Sequence, residues 1–435
     1  MHEQKGLAIF SKYPKPGFSK TRLVPALGPE GAARLQYRML EHVLHEALLL
    51  DQECGVQVQL FYTGGSLQEF QALLGPGLCY VQQTGDSLGE RMHKALQSML
   101  DQGLNKVLLI GSDCPQIHSK ILEEAYQALE NADVVFGPAQ DGGYYLVGLS
   151  RPAPELFQGI AWGQGNVLEQ SLRAAAQAGL EAYLLQTLQD VDQEQDLQAL
   201  SCEEFERISV IIPTLNEAQQ IEGAIQSAQL EGSTEVIVVD GGSQDKSREI
   251  AEKAGAKVLH SAPGRAEQQN LGAAQARGGI LLFLHADTRL PAGYARQVRE
   301  LLQDPEVVLG AFALRIEGAS GLLRLVQAGT NLRSRWLRLP YGDQGLFLRC
   351  RLFKVWGGFA RLRIMEDFEL VKRAGRQGRV QTLQTSVSTS KRRWQKRGLL
   401  RTTFLNQLMI WGYHLGLSQE RLESWYGRRG GGDAA

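Results

Sequence analysis

Two short apolar runs that each end in a carboxylate constrain this chain more than any other feature. They are Val236-Ile-Val-Val-Asp240, continued by Gly-Gly-Ser-Gln-Asp245, and Leu281-Leu-Phe-Leu-His-Ala-Asp287. Apolar runs of this length, bounded by turn-forming residues, read as buried strands. In an open α/β sheet the carboxyl ends of the strands form a crevice, and loops leaving them place polar side chains around one ligand. Asp240 and Asp287 are therefore expected to meet at one sheet edge. A third run, Ile208-Ser-Val-Ile-Ile-Pro-Thr-Leu-Asn-Glu217, stops at Pro213 and delivers Asn216 and Glu217 to the same mouth.

The upstream half repeats this design. Leu7-Ala-Ile-Phe10, Val56 to Tyr62, Val107-Leu-Leu-Ile110 and Asp133-Val-Val-Phe136 read as strands, and Glu30 to Leu50 and Ser119 to Leu129 as helices. Such alternation predicts mostly parallel sheets. Leu108-Leu-Ile-Gly-Ser-Asp113 again ends a strand in an acid. Between Gln186 and Glu206 the chain turns acidic and glutamine-rich, which marks a boundary. The expected fold class is α/β: two tandem Rossmann-like domains over 1–203 and 207–427, each a mostly parallel sheet flanked by helices, with a flexible tail over 428–435.

A length of 435 residues suits such an arrangement, since domains run roughly 100 to 200 residues each. Apolar and charged fractions of 43% and 21% exclude a disordered or fibrous chain. A net charge of -1 gives no global case for nucleic acid as a partner. The five cysteines show no Cys-x-x-Cys spacing, which argues against a disulfide framework and a zinc site and fits a reducing cytoplasm. An apolar strand follows within six residues of Met1, without the pattern of a secretory signal. The most apolar stretch, Leu399 to Leu417, is broken by Arg401, Asn406, Gln407 and His414, so a spanning helix is not expected.

Residues 208–426 resemble a family 2 glycosyltransferase of the GT-A fold, because four motifs occur in order. Pro213, Thr214, Asn216 and Glu217 match the opening Pro-Thr-x-Asn-Glu. Val239-Asp-Gly-Gly-Ser-Gln-Asp245 is the second motif, His285-Ala-Asp287 stands in place of Asp-x-Asp, and Met365-Glu-Asp367 is the fourth. The resemblance implies a nucleotide pocket of Pro213, Thr214, Asn216, Glu217 and Asp240, with Arg265 near base or phosphate. It implies Asp287 as ligand of a divalent cation. His285 replaces the first acid, and imidazole prefers softer ions, so Mg²⁺ and Mn²⁺ both stand as candidates. Asp367 is implied as the base with Glu366 beside it, and adjacent carboxylates repel, raising one pKa. Asp343 and Gln344 are implied as acceptor or diphosphate contacts. In Lys391-Arg-Arg-Trp394, Arg392, Arg393 and Trp394 resemble an element that closes over the diphosphate. Plainer readings stand beside these: Asp240 and Asp287 as helix caps, and Glu366 and Asp367 as acids at a helix start.

In the first half, Ala8 to Leu23 resembles the opening loop of GT-A-like nucleotidyltransferases, including phospholactate guanylyltransferases and molybdenum-cofactor nucleotidyltransferases. The resemblance implies phosphate binding by Lys20 and Arg22, and a cation pair of Asp113 and Asp192. Gly137 to Gly148 reads as a glycine-bearing substrate loop with Asp141 as its polar group. The tandem order resembles fused two-domain proteins assigned to arsenosugar biosynthesis. The expected function is transfer of a sugar from a nucleotide donor, UDP-linked by expectation, to an acceptor hydroxyl. The N-terminal domain makes or binds the activated donor; the alternatives are a nucleotidyltransferase releasing pyrophosphate or a non-catalytic scaffold.

Two stretches combine basic and apolar residues. Lys391 to Arg401 carries six positive charges and no acid, and leads into Leu400, Phe404, Leu408, Trp411 and Leu415 on one helical face. Gly321 to Leu339 sets Arg324, Arg333, Arg335 and Arg338 beside Leu322, Leu325, Leu332 and Trp336. Both patterns permit peripheral contact with an anionic membrane; core packing or a dimer seam accounts for them more simply.

Overall fold

The computed structural model describes residues 4–392, apart from 202–204, 232–233, 320 and 363. The chain divides into two compact units between Phe205 and Glu206.

In the first unit the strands are β1 (Lys5–Lys12), β2 (Gln57–Thr63), β3 (Cys79–Gln82), β4 (Lys106–Gly111), β5 (Val134–Pro138), β6 (Tyr144–Leu149) and β7 (Ala182–Leu184). They form one sheet in the order β3-β2-β1-β4-β6-β5-β7. Only β6 runs antiparallel to its neighbours, β4 and β5. Helix α1 (Val24–Cys54) is broken at Gly28 (φ 71°), just before Pro29, so the uninterrupted part begins near Glu30, where the sequence pattern starts. Its residues Leu40, Val43, Leu44, Ala47 and Leu50 are fully buried. Their helical spacing makes one apolar stripe, packed with Ile121, Leu122 and Ala125.

The second unit contains β8 (Ile208–Thr214), β9 (Thr234–Asp240), β10 (Lys257–His260), α2 (Arg265–Ala274), β11 (Ile280–Phe283) and β12 (Thr288–Arg289). They are followed by β13 (Val307–Ile316), α3 (Leu322–Trp336), β14 (Leu346–Arg349), α4 (Glu366–Ala374) and β15 (Arg379–Thr389). The sheet order is β10-β9-β8-β11-β14-β13-β15-β12. Strands β10, β9, β8 and β11 are parallel, and β14 reverses direction against both β11 and β13. The strands buried on both faces are continuous apolar runs, as parallel sheets covered on both sides require. One core lies on each face, around Val210, Ile212 and Leu282 on one side and Ile211, Val239 and Phe283 on the other.

The two sheets share a topological feature that locates their sites. Chain order reverses at β1, flanked by β2 and β4, and at β8, flanked by β9 and β11. Ligands of open α/β sheets bind at such a switch point, outside the carboxyl ends of the strands. Gly137 to Gly148, expected as a loop, is largely sheet: β5 includes Gly137 and Pro138, β6 begins at Tyr144, and only 139–143 turn between them. The apolar Tyr144-Tyr-Leu-Val run, buried from Tyr145 onward, outweighs the flanking glycines. No described helix is long and apolar enough to cross a membrane.

Candidate functional site

At the switch point of the second unit, Thr214 at the end of β8 is in register with Asp240 at the end of β9. The loops that follow are tied together. Asn216, in the left-handed region at φ 53°, donates its backbone N–H to Ser243 Oγ (2.9 Å) and accepts from the Gln244 N–H through Oδ1 (2.8 Å). The Glu217 N–H reaches Ser247 Oγ at 2.7 Å, and the Ala218 N–H reaches Asp245 Oδ2 at 3.1 Å.

Two residues expected to line the nucleotide pocket are committed elsewhere. Asp240 is buried and accepts from the Gly242 N–H, the Ser243 N–H and Ser243 Oγ. Its carboxylate therefore closes its own loop, the capping role that a short acid at a strand end performs. Thr214 is buried with its hydroxyl on the Ile212 carbonyl. Pro213 stays within β8 beside Val239. The more open groups here are Asn216 and Glu217.

Glu217 links this loop to the next strand end. It forms an ion pair with Arg392. Burial pushes its carboxyl up, Arg392 opposes the shift, and the nearby charge of Asp287 adds to it. The Asp287 carbonyl accepts from the Ser390 N–H at 3.2 Å, and Ser390 Oγ accepts from the Arg392 N–H at 3.3 Å. Arg393 and Trp394 lie outside the described residues.

The fourth motif reaches the same place from the other side. Helix α4 starts at Glu366 after Met365 at φ 70°. Asp367 Oδ2 accepts from the Gly342 N–H at 2.7 Å, and Oδ1 from the Phe368 N–H at 2.7 Å. A Cβ on Gly342 would lie 3.0 Å from Asp367 Oδ2 and 3.2 Å from His285 Nε2. A side chain here would push these neighbours by a few tenths of an ångström, and their shared approach to Gly342 sets Asp367 beside the strand end that carries His285 and Asp287. Glu366, 5% exposed, is pushed up to about 7 by burial and then by Asp367, with Arg265 at the start of α2 opposing. The expected rise thus falls on Glu366.

Gln344, expected at the acceptor or diphosphate, is fully buried. Its amide donates to the Phe312 carbonyl (2.9 Å) and Ser334 Oγ (3.1 Å) and accepts from the Tyr341 N–H (3.2 Å). It holds the Gly342–Gln344 turn and offers nothing to a ligand. Asp343 lies on that same turn. A further positioning residue, Asn270, escaped the sequence reading. Its amide both donates to and accepts from the Phe359 backbone (2.9 and 2.8 Å), against Gly358 at φ 71°. The only sequence signal was its place at the end of Pro263-Gly-Arg-Ala-Glu-Gln-Gln-Asn270.

The first unit's switch point opens a cavity of about 790 Å³ at the ends of β1 and β4, lined by Lys12, Lys20, Arg22, Asp113, Asp190 and Asp192 among others. Lys20, at φ 48°, has a side chain only 5% exposed. Its ammonium lies 3.3 Å from Asp113 Oδ1 and 3.9 Å from Asp192 Oδ1 and donates to the Val191 carbonyl at 2.6 Å. Arg22 pairs with Asp192 Oδ2 at 2.5 Å. Asp190 is raised by burial, with Asp141 adding to the shift.

The two sites differ as cation sites. No cluster of three or more His, Cys, Asp or Glu able to hold a metal occurs among the described residues. At the second switch point, no Lys or Arg forms an ion pair with Asp287 or Asp367 among the described residues. A single carboxylate suits an ion that completes its shell with substrate phosphates and water. In the first unit Lys20 already stands between Asp113 and Asp192, so the expected cation pair does not fit an ion without moving that side chain.

Comparison with known proteins assigns both halves. The model of the family described as "Uncharacterized protein conserved in bacteria (DUF2064)" matches residues 47–164, and that of glycosyl transferase family 2 matches residues 209–365. A phosphoenolpyruvate guanylyltransferase of Chloroflexus aggregans is 24% identical over 171 residues, 39% of this chain and 83% of its own length. An uncharacterized glycosyltransferase of Nostoc sp. is 33% identical over 111 residues, 23% of this chain. The chain spans 34% of that relative's length. Among solved structures, a "putative nucleotide-diphospho-sugar transferase" from Desulfovibrio desulfuricans G20 is 35% identical, covering 46% of this chain and 87% of its own, with a TM-score of 0.42. Arsenosugar biosynthesis finds no counterpart in these matches. The chain joins a DUF2064 domain to a glycosyl transferase family 2 domain.

Proposed function

We propose that the second unit transfers a sugar from a nucleoside diphosphate donor to an acceptor hydroxyl by a single inverting displacement. Asp367 takes the acceptor proton as the acceptor oxygen bonds to the anomeric carbon and the bond to the diphosphate breaks. The observation that carries this reading is the approach of Asp367 and His285 around Gly342, which puts a carboxylate beside the strand end bearing Asp287. A proton acceptor must lie within hydrogen-bond reach of the attacking hydroxyl, and two backbone N–H groups aim the Asp367 carboxylate. Glu366, with its pKa near 7, is substantially protonated at neutrality, which relieves the repulsion between the two adjacent carboxyl groups. A divalent cation, Mg²⁺ or Mn²⁺, held by Asp287 would neutralise charge on the departing diphosphate. Asn216 and Glu217 line the donor side, and Arg392 exchanges Glu217 for a phosphate.

The first unit is assigned the binding of a nucleotide in its cavity through Arg22, and through Lys20 once that side chain leaves Asp113 and Asp192. A second reading, nucleotidyl transfer to a phosphorylated acceptor with release of pyrophosphate, is favoured by the cavity and by the name of the Chloroflexus relative.

The test is release of nucleoside diphosphate from a panel of nucleotide sugars, UDP-sugars first. Asp367→Ala is expected to slow release by about 10²- to 10⁴-fold, the usual worth of a positioned base. Full turnover in that variant removes Asp367 from the role.

A further inference from the structure

Helix α3 is built inside out. Its polar residues face the sheet: Asn331 accepts from the Leu314 N–H (2.7 Å) and donates to the Leu314 carbonyl (3.0 Å), and Gln327 accepts from the Ile316 N–H (2.9 Å). Ser334, buried, accepts from Gln344. These backbone groups belong to the part of β13 beyond Gly310, where pairing with β14 ends, so the side-chain amides complete the ladder. Leu323 packs against the core, but the other leucines and the tryptophan of the helix are left outside. Leu322, Leu325, Leu332 and Trp336 are 58%, 67%, 58% and 80% exposed, at spacings of three, seven and four residues that share one helix face. Leu337, just beyond, is 65% exposed. A solvated helix turns this face to the core; a contiguous apolar face left outward marks a binding surface.

We propose that this face docks on the surface of an anionic lipid bilayer. Arg324, Arg335 and Arg338 are exposed, and no acid occurs between Gly318 and Gly342. Leucine and tryptophan on one face with arginine alongside is the composition of helices that lie in the interface of anionic membranes. Charge separates this occupant from two others. A two-fold contact with a second copy opposes the same patch to itself, bringing both sets of arginines together with no acid to neutralise them. The segment from Lys391 to Arg401, six cations and no acid, meets the same repulsion. Arg333 carries the docked helix to the site: its guanidinium lies 3.3 Å from the centre of the Tyr341 ring, next to Gly342, which holds Asp367.

The experiment reads binding, so it stands or falls apart from the transferase assignment. The full chain is floated with vesicles of phosphatidylcholine alone and of phosphatidylcholine mixed equally with phosphatidylglycerol. The expected result is partition onto the anionic vesicles only, weakened by salt. Leu325→Glu with Trp336→Glu is expected to lower partition about tenfold or more, since it removes apolar burial and adds like charge to the lipid's. Arg324→Gln with Arg335→Gln and Arg338→Gln, which keeps the apolar face intact, is expected to lower it about tenfold or more and flatten the salt dependence. Absence of wild-type partition overturns the proposal. So does undiminished partition of both variants, which would move the contact to another basic segment such as Lys391 to Arg401. A wild-type dimer that the Glu variant splits, without vesicle binding, makes the occupant a second copy.

Discussion

The two switch points share one strand order and differ in where they keep positive charge. At β1 and β4, Lys20 is enclosed between Asp113 and Asp192, and Arg22 completes the neutralisation. At β8 and β11, Asp287 and Asp367 have no such partner among the described residues, and Arg392 pairs with Glu217 instead. A buried ammonium contributes only when it is paired, so the first site is electrostatically complete before ligand arrives. Under the proposed function, the second takes up a cation together with the donor's phosphates. The same fold thus supports two charge logics, and sequence motifs naming an acid at each strand end do not tell them apart.

The largest effect that would break this comparison is expected from Asp287→Asn. Removing the one carboxylate assigned to the cation should lower sugar transfer by about 10²- to 10³-fold, the scale of losing one preorganised electrostatic contact. Asp113→Asn should leave transfer within about twofold, because Asp113 belongs to the other compact unit and groups with no shared partners act nearly independently. Diphosphate release by the two variants, with Mg²⁺ and with Mn²⁺, checks both. An equal fall in each would mean that the sites act as one.

A smaller effect sharpens the contrast. In Lys20→Met the paired carboxylates lose their cation, and Mn²⁺ should bind the first unit about tenfold more tightly, as opposite charge is restored to the acids. Titration calorimetry on the full chain carrying Asp287→Asn isolates this site. Unchanged Mn²⁺ affinity would show that Lys20 does not hold the cation position.

The smallest expected effect is in pH dependence. Glu366, raised to about 7, is protonated below that pH and ionises above it, placing a negative charge next to the Asp367 carboxyl group. Turnover should therefore fall as pH rises past about 7, and Glu366→Gln should extend activity to higher pH by about one unit. An identical alkaline limb in that variant assigns the loss to another group.

Much of this was legible from residue order. Apolar runs interrupted by turn residues located β1, β4, β8, β9 and β11, because strands buried on both faces need continuous apolar sequence. The acids at their ends marked both switch points. Short or half-exposed strands such as β3 and β7 carry little apolar signal, and β6 was hidden by the glycines before it. What each side chain does was less legible, since that depends on contacts distant in sequence. Asp240 and Thr214 spend their polar atoms on local backbone, and Gln344 on the carbonyl of Phe312, 32 residues earlier. The outward turn of α3 was equally hidden, because an amphipathic pattern does not say which face the sheet takes.

Lys20, Asn216 and Met365 are three non-glycine residues with positive φ, at 48°, 53° and 70°, and each stands in a loop that carries a candidate functional group. A side chain in that region costs about 1 to 2 kcal/mol, which the surrounding packing must offset. The loops are consequently held in bent shapes that the isolated segments would relinquish. Evolutionary drift at these three places should favour asparagine, aspartate or glycine and shun valine and isoleucine, leaving a record of backbone shape where one of chemistry would be sought.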